Sequence, residues 1–294
     1  MNADVMILLV GEQPAPNLLP ARRLRPAVAV LIHTTLTKSI AANLEMLLKP
    51  LCACRLCEVE PYHISQIYDR MARFVADEFS PEEPLMFNLT GGTKPMVLAA
   101  YRLAQERDSP FVYFQTEGKR SCLYRYAFAE GGVRLEAVEE LPDTISLDDY
   151  LRAYVGAYET DEPRDNLERE VHNVLAATPD LEVLTCVRPR KLAALEVDFV
   201  VRYGNQVGIG EVKRKGAKAG IDQLNAVADQ RYLGTYIAKF LVSAHPVDRN
   251  NRALAKAYNI EVIELPSFVD TERLDDLDRQ KLADAVLRRL GGSR

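Results

Sequence analysis

The first 115 residues alternate short apolar runs with amphipathic stretches, an order that few architectures accept. The runs are VMILLVG (5–11), AVAVLIH (27–33), CRLCEVEPY (54–62), PLMFNL (84–89) and FVYFQT (111–116). Between them, KSIAANLEMLLK (38–49), QIYDRMARFVADEF (66–79) and KPMVLAAYRLAQER (94–107) carry apolar residues at helical spacing, with Ile67, Met71, Phe74, Val75 and Phe79 on one side of the second. Continuously apolar strands suit a sheet covered on both faces, and strand–helix–strand repetition predicts that this sheet is parallel and doubly wound. Residues 12–26 read as a polar, proline-containing connection. LYRYAFAEGGVRLEAVEEL (123–141) reads as an antiparallel hairpin turning on Gly131-Gly132.

At 294 residues the chain can bury two cores. The acidic, proline-containing stretch 141–164 holds only one short amphipathic piece, SLDDYLRAYVGAY, so the expected division is a first domain over 1–145, a linker over 146–164 and a second α/β domain over 165–294. The second begins with a helix (166–177). A hairpin, a helix near 219–231, the strand KFLVS, the helix NRALAKAYN, the strand IEVIEL and a terminal helix follow. No apolar stretch approaches the ~20 residues of a membrane span. The opening MNADVMILLVGE reads as a first strand and not as a leader, which points to a cytoplasmic protein with reduced thiols. Cys52, Cys54 and Cys57, with His63 beyond, match no zinc-finger spacing and are expected to be free thiols. The net charge of −5 excludes a protein that coats nucleic acid by bulk electrostatics. Its excess acidity lies before residue 161, because the remainder carries 21 basic and 21 acidic residues. Within that balanced half, Lys213-Arg214-Lys215 and Lys218 form a local basic run.

Residues 197–213 read VDFVVRYGNQVGIGEVK, two apolar runs flanking Gly204-Asn205. That dipeptide signals a two-residue hairpin turn, because both residues tolerate positive φ. The turn sets Tyr203 opposite Gln206, and continuing outward sets Asp198 opposite Glu211, with Lys213 on the same face as Glu211. Two facing carboxylates on an apolar hairpin repel each other and drive a pKa upward unless a positive charge joins them. A divalent cation, Mg²⁺ or Mn²⁺, held by Asp198 and Glu211 resolves the conflict, and Lys213 can then orient an attacking water and stabilise charge on a phosphate. In the preceding helix NLEREVHNVLAA (166–177), Glu168 and Glu170 border the stripe Leu167, Val171, Val174 and Leu175 at similar offset, and periodicity does not choose between them.

A second candidate site is NLTGGTKP (88–95), which follows an apolar strand and opens a helix with Pro95 in its first turn. Gly91 and Gly92 let backbone approach a ligand closely, successive N–H groups at a helix start cradle an anion, and Thr90, Thr93 and Lys94 add donors. The spacing is neither GxxxxGK[ST] nor GxGxxG. In a doubly wound sheet such a loop stands at the carboxyl ends of the strands, where ligands bind.

Asp198 followed by Glu211-Val212-Lys213 on the next strand resembles the PD-(D/E)xK metal-dependent nucleases, although Val197 stands where that motif usually has proline. The family's Leu-Glu helix motif implies Glu168, rather than Glu170, as the further carboxylate. Asn88 through Lys94, together with VGEQPAPNLLP (10–20), resemble the CARF (CRISPR-associated Rossmann fold) sensor domains, and the domain order resembles CARF nucleases of type III CRISPR systems. The resemblance implies a Rossmann-like CARF domain followed by a restriction-endonuclease-like α/β domain. It also implies a homodimer activated by cyclic oligoadenylate, most simply cyclic tetra-adenylate, that cuts DNA and/or RNA in antiviral defence. Further ligand contacts are implied at Gln13, Asn17 and Asn88, and at Thr34 and Thr35 after the second strand, where helix capping is an equal reading. The rival from another class is a CARF ligand-binding regulator whose second domain is catalytically silent and only docks a partner. No basic recognition helix supports a transcriptional version of it.

Overall fold

The computed structural model of the chain describes residues 4–191, 196–227, 233–234 and 237–291. It divides into two compact units, one ending at Thr144 and the other beginning at Ile145.

The first unit runs β1 (Val5–Leu9), α1 (Ala15–Leu24), β2 (Val28–His33), α2 (Lys38–Leu48), β3 (Ala53–Glu58), α3 (Ile64–Glu78), β4 (Leu85–Asn88), α4 (Lys94–Glu106), β5 (Phe111–Glu117), β6 (Arg120–Ala129) and β7 (Gly132–Glu140). Its seven strands form one sheet in the order β3-β2-β1-β4-β5-β6-β7. β1 to β5 are parallel, and β6 and β7 extend the sheet as the antiparallel hairpin expected from the glycine pair. β1 is buried along its whole length, as a central strand with both faces covered must be. On one face Val5, Ile7, Leu9 and Phe87 pack with Ile67, Met71 and Val75 of α3 and with Met96, Ala100 and Leu103 of α4.

α1 was not legible in the sequence, because its two prolines, Pro16 and Pro20, read as connection. Pro16 stands in the first turn, where a missing N–H costs nothing. Pro20 lies inside the helix and cannot bond the carbonyl of Pro16, which accepts instead from the side-chain amide of Asn88 at 2.8 Å. The helix survives its second proline because another element supplies the lost partner.

The second unit runs α5 (Leu147–Val155), β8 (Tyr158–Glu159), α6 (Asn166–Ala176), β9 (Glu182–Pro189), β10 (Val197–Tyr203), β11 (Gln206–Lys213), α7 (Ala217–Val227), β12 (Ala238–Ser243), α8 (Arg249–Ala257), β13 (Ile260–Glu264), α9 (Ser267–Thr271) and α10 (Asp276–Leu290). The six strands order as β13-β12-β11-β10-β9-β8. β11, β12 and β13 are parallel, and the remaining pairs are antiparallel. Residues 146–164, expected to link the domains, carry α5 and β8 and count with this unit. Ser146 caps α5 through Asp149, and β8 pairs with the end of β9. The helix expected near 219–231 begins at Ala217, and the part of its span beyond Val227 lies outside the described residues.

The turn at Gly204 has φ +58°, and the hairpin pairs run from Tyr203–Gln206 to Phe199–Gly210 as that turn requires. Gly208 and Gly210 leave room for aromatic rings. A Cβ at Gly210 would lie 1.9 Å from Phe199 and one at Gly208 would lie 2.5 Å from Phe240. The two stacked rings thus fill one face of the hairpin together with Leu282 and Val286 of α10, which commits Glu211 and Lys213 to the other face.

Candidate functional site

The order of the first sheet reverses direction between β1 and β4, and in a doubly wound sheet ligands bind in the region at the carboxyl ends of the strands at such a switch point. Both expected ligand segments fall in it. The loop after β4 meets the loop after β1 backbone to backbone, because a Cβ at Gly91 would stand 2.1 Å from the Leu9 carbonyl and one at Gly11 would stand 2.9 Å from the Gly92 nitrogen. Gly92 holds φ +74°, which any other residue adopts at a cost. Thr93 caps α4 by accepting from Met96 N at 3.3 Å and donates its hydroxyl to the Pro61 carbonyl at 2.8 Å.

The expected contact residues separate into two groups. Asn17 and Asn88 are fully buried. Asn17 donates to the Leu9 carbonyl at 2.8 Å, and Asn88 donates to Pro16 and Asn17 while its oxygen accepts from Thr90 at 2.6 Å. The Thr90 hydroxyl also accepts from Phe114 N at 2.7 Å. These side chains bind the loops to one another and shape the cradle from beneath. Gln13, Gly91, Gly92 and Thr93 are partly accessible and Lys94 is exposed, so these form the open side of the two loops. Thr34 is buried with its hydroxyl against that of Thr37 and makes no cap on α2, whereas exposed Thr35 donates to Glu58 at 2.8 Å. That hydrogen bond, followed by the charge of Lys38, holds Glu58 below the usual carboxylate range.

In the second unit, Lys213 gathers the hairpin's acids. Its ammonium lies 2.7 Å from Glu211 and 3.5 Å from Asp198. Asp198 also accepts from Val212 N at 2.7 Å, locking the two strands at this level. Glu211 is fully buried, and its Oε1 has no hydrogen-bond partner. Burial and then the charge of Asp198 push its pKa up to about 8 against the opposing pull of Lys213. Burial works against the Lys213 cation, but the hydrogen bond to Glu211 and both carboxylate charges outweigh it and leave the pKa raised.

The structure separates the two helix glutamates that periodicity left equal. Glu168 accepts from Arg164 N at 2.7 Å, and its pKa is raised by burial and then by the charge of Asp198. Glu170 instead pairs with Arg279 at 2.5 Å and caps Leu274 N at 3.2 Å, anchoring α10. Glu196, just before β10, is taken by Arg164 and Arg188. Arg214 of the basic run is also committed, to Asp165 at 3.5 Å and Glu272 at 3.2 Å, with its guanidinium over Phe268. Lys215 and Lys218 remain exposed.

Sequence reasoning passed over Gly220. It sits buried inside α7, where glycine costs a helix about 1 kcal/mol relative to alanine. A Cβ there would come within 2.7 Å of Leu241 and 3.2 Å of the Lys213 stem, so the helix lies directly on the lysine and fixes its course. An interior glycine in an otherwise helical pattern was the available signal.

Among the described residues no three His, Cys, Asp or Glu side chains are grouped to hold a metal by themselves. Two carboxylates with one orphaned buried oxygen fit a Mg²⁺- or Mn²⁺-type ion that takes its remaining ligands from water and substrate oxygens. The five cysteines are free thiols. Among the described residues no helix is long and apolar enough to cross a membrane.

Residues 5–150 match the family model described as the Card1 CARF domain. No curated protein matches the chain. Among solved structures, Can2 from Sulfobacillus thermosulfidooxidans in complex with cyclic tetra-adenylate superposes with a TM-score of 0.75 at 16% identity, covering 99% of this chain and 98% of that one. Protein VC1899 from Vibrio cholerae does so at 0.76 and 15% identity, covering 98% and 99%. A type III CRISPR defence DNA nuclease activated by cyclic oligoadenylate aligns at 0.63 and 15% identity, over 100% of this chain and 53% of its own. At these identities the likeness is one of fold.

Proposed function

We propose that this chain, which carries a CARF domain over residues 5–150, is a metal-dependent endonuclease switched on by cyclic oligoadenylate. In this reading cyclic tetra-adenylate lies across the β1 and β4 loops of two copies of the chain, whose two-fold symmetry suits a ring. Binding favours an arrangement in which the second domains accept a DNA or RNA strand, which requires that the ligand hold that arrangement more tightly than the resting one. Support for the ligand comes from the loop contact at the switch point and from the bound ring in Can2.

The observation that carries the catalytic half is the orphaned, buried Glu211 oxygen beside Asp198. Asp198 and Glu211 would hold Mg²⁺ or Mn²⁺, which when bound polarises a phosphate oxygen and promotes deprotonation of water. Lys213, fixed between the two acids and under α7, directs its ammonium at charge developing on the phosphate. Glu168, whose pKa is raised, would receive a proton from the attacking water in this reading.

The test is cleavage of labelled single- and double-stranded DNA and RNA by purified protein with Mn²⁺, with and without cyclic tetra-adenylate. Ligand-dependent cutting that Glu211→Ala abolishes is the expected result. Ligand binding without cutting, together with no uptake of divalent metal in a calorimetric titration, would replace this reading with the silent regulator.

A further inference from the structure

The second unit holds another charge imbalance, at the edge of its sheet. Lys239 pairs with Ile209, four residues before the level of Lys213 and so about 13 Å from it along the strand. On its other side Lys239 pairs with Ile260 at the start of the edge strand β13. Around that edge opens a cavity of about 380 Å³ lined by Arg252 and Lys256 of α8, Asn259 and Glu261, and Arg289 of α10.

Both nearby acids are occupied. Glu261 pairs with Arg288 at 2.9 Å, and Glu264 pairs with Arg252. Among the described residues Arg289 reaches only the neutral Asn259, through its carbonyl at 3.0 Å and its side-chain oxygen at 2.5 Å. Lys256 and Lys239 have no carboxylate or hydrogen-bond partner among the described residues. Lys256 and Arg289 thus line the cavity without a carboxylate partner among the described residues, and Lys239, one strand inward, is near enough to Arg289 to feel its charge. Lys239 is half-buried, and burial followed by the charge of Arg289 lowers its pKa, as expected where a counter-ion is missing.

We propose that this cavity is a phosphate-binding site formed by Lys256 and Arg289, with Lys239 adding positive charge from the neighbouring strand. A planar guanidinium and two point-charge ammonium groups match a multiply charged tetrahedral anion better than the single carboxylates of an acidic peptide. The phosphates of a nucleic-acid strand and a free phosphate compound present the same chemistry to it. The site is independent of the catalytic reading, since it concerns other residues and can be assayed without divalent metal.

Metal-free protein would be titrated with inorganic pyrophosphate by calorimetry, and with a labelled single-stranded oligonucleotide by fluorescence anisotropy at several salt concentrations. Lys239→Gln with Lys256→Gln should weaken oligonucleotide binding roughly tenfold and reduce the slope of log affinity against log salt by about 1.4. Glu261→Gln, which releases Arg288, should tighten it. Lys256→Gln alone, at an exposed position, should show half the slope change and guards against a folding defect in the double variant. Loss of pyrophosphate binding with unchanged oligonucleotide binding would support the site and assign it to a free phosphate compound. If neither probe distinguishes the double variant from the wild type, or if only a polyglutamate peptide does, the proposal is overturned.

Discussion

The side-chain amide of Asn88 donates to the carbonyl of Pro16, the oxygen that Pro20 lacks the N–H to satisfy. One buried side chain thereby joins the end of β4 to the first turn of α1 and holds the two candidate ligand loops together. Asn88→Ala should strip that carbonyl and lower unfolding free energy by about 1–3 kcal/mol, read as a lower denaturant midpoint at unchanged slope. It should also weaken cyclic tetra-adenylate binding. Lys94→Ala, at an exposed position, should reduce affinity with no change in the midpoint.

Glu211 sets a pH dependence with a definite sign. Its folded pKa of about 8 lies above the ordinary 4.5, so its stabilising contribution is complete below about pH 4.5 and is lost as pH rises toward 8. Metal-free protein should therefore lose thermal stability across that window, and Glu211→Gln should flatten the loss. Mn²⁺ should raise the melting temperature more at pH 8 than at pH 5.5, an increment that Glu211→Gln removes. An equal increment in wild type and variant would refute Glu211 as the ligand.

Lys213→Met removes the cation between the two acids. Cleavage should fall by about 10²–10³-fold, the usual cost of losing one charge-stabilising donor. Mn²⁺ should still bind, and more tightly, because the ammonium no longer competes for Glu211. Parallel measurement of cleavage rate and calorimetric affinity separates these effects, and loss of metal binding would count against the assigned roles.

Glu168→Gln should reduce cleavage and leave the melting temperature nearly unchanged. Glu170→Gln should do the reverse, since it surrenders Arg279 and the cap on Leu274 N. Rates normalised to folded protein decide between the two.

Much of this arrangement was legible before any coordinates. The Gly204-Asn205 turn determines the hairpin register, and period-two alternation then places Glu211 and Lys213 on one face. The continuously apolar runs likewise announce the parallel strands. What escaped was structure made by partners distant in sequence. α1 reads as a loop because the group that tolerates Pro20 sits 72 residues beyond Pro16. Asn17 and Asn88 look like ligand donors until their partners are seen to be backbone and each other. β9 carries an irregularity at Cys186, with φ +48°, and half-accessible side chains, so it presents no clean alternation to read.

Gly220 marks a conflict between two kinds of fitness within α7. Judged as a helix, the segment would gain about 1 kcal/mol from alanine at that position. Judged as the roof over Lys213, it takes a methyl group only if the Leu241 side chain and the Lys213 stem give way. Gly220→Ala should thus yield a chain no less helical but slower at its chemistry, and Leu241→Ala alongside it should recover part of the rate. Engineers seeking a hardier version of this protein by helix propensity alone would be led straight to the substitution that crowds Lys213.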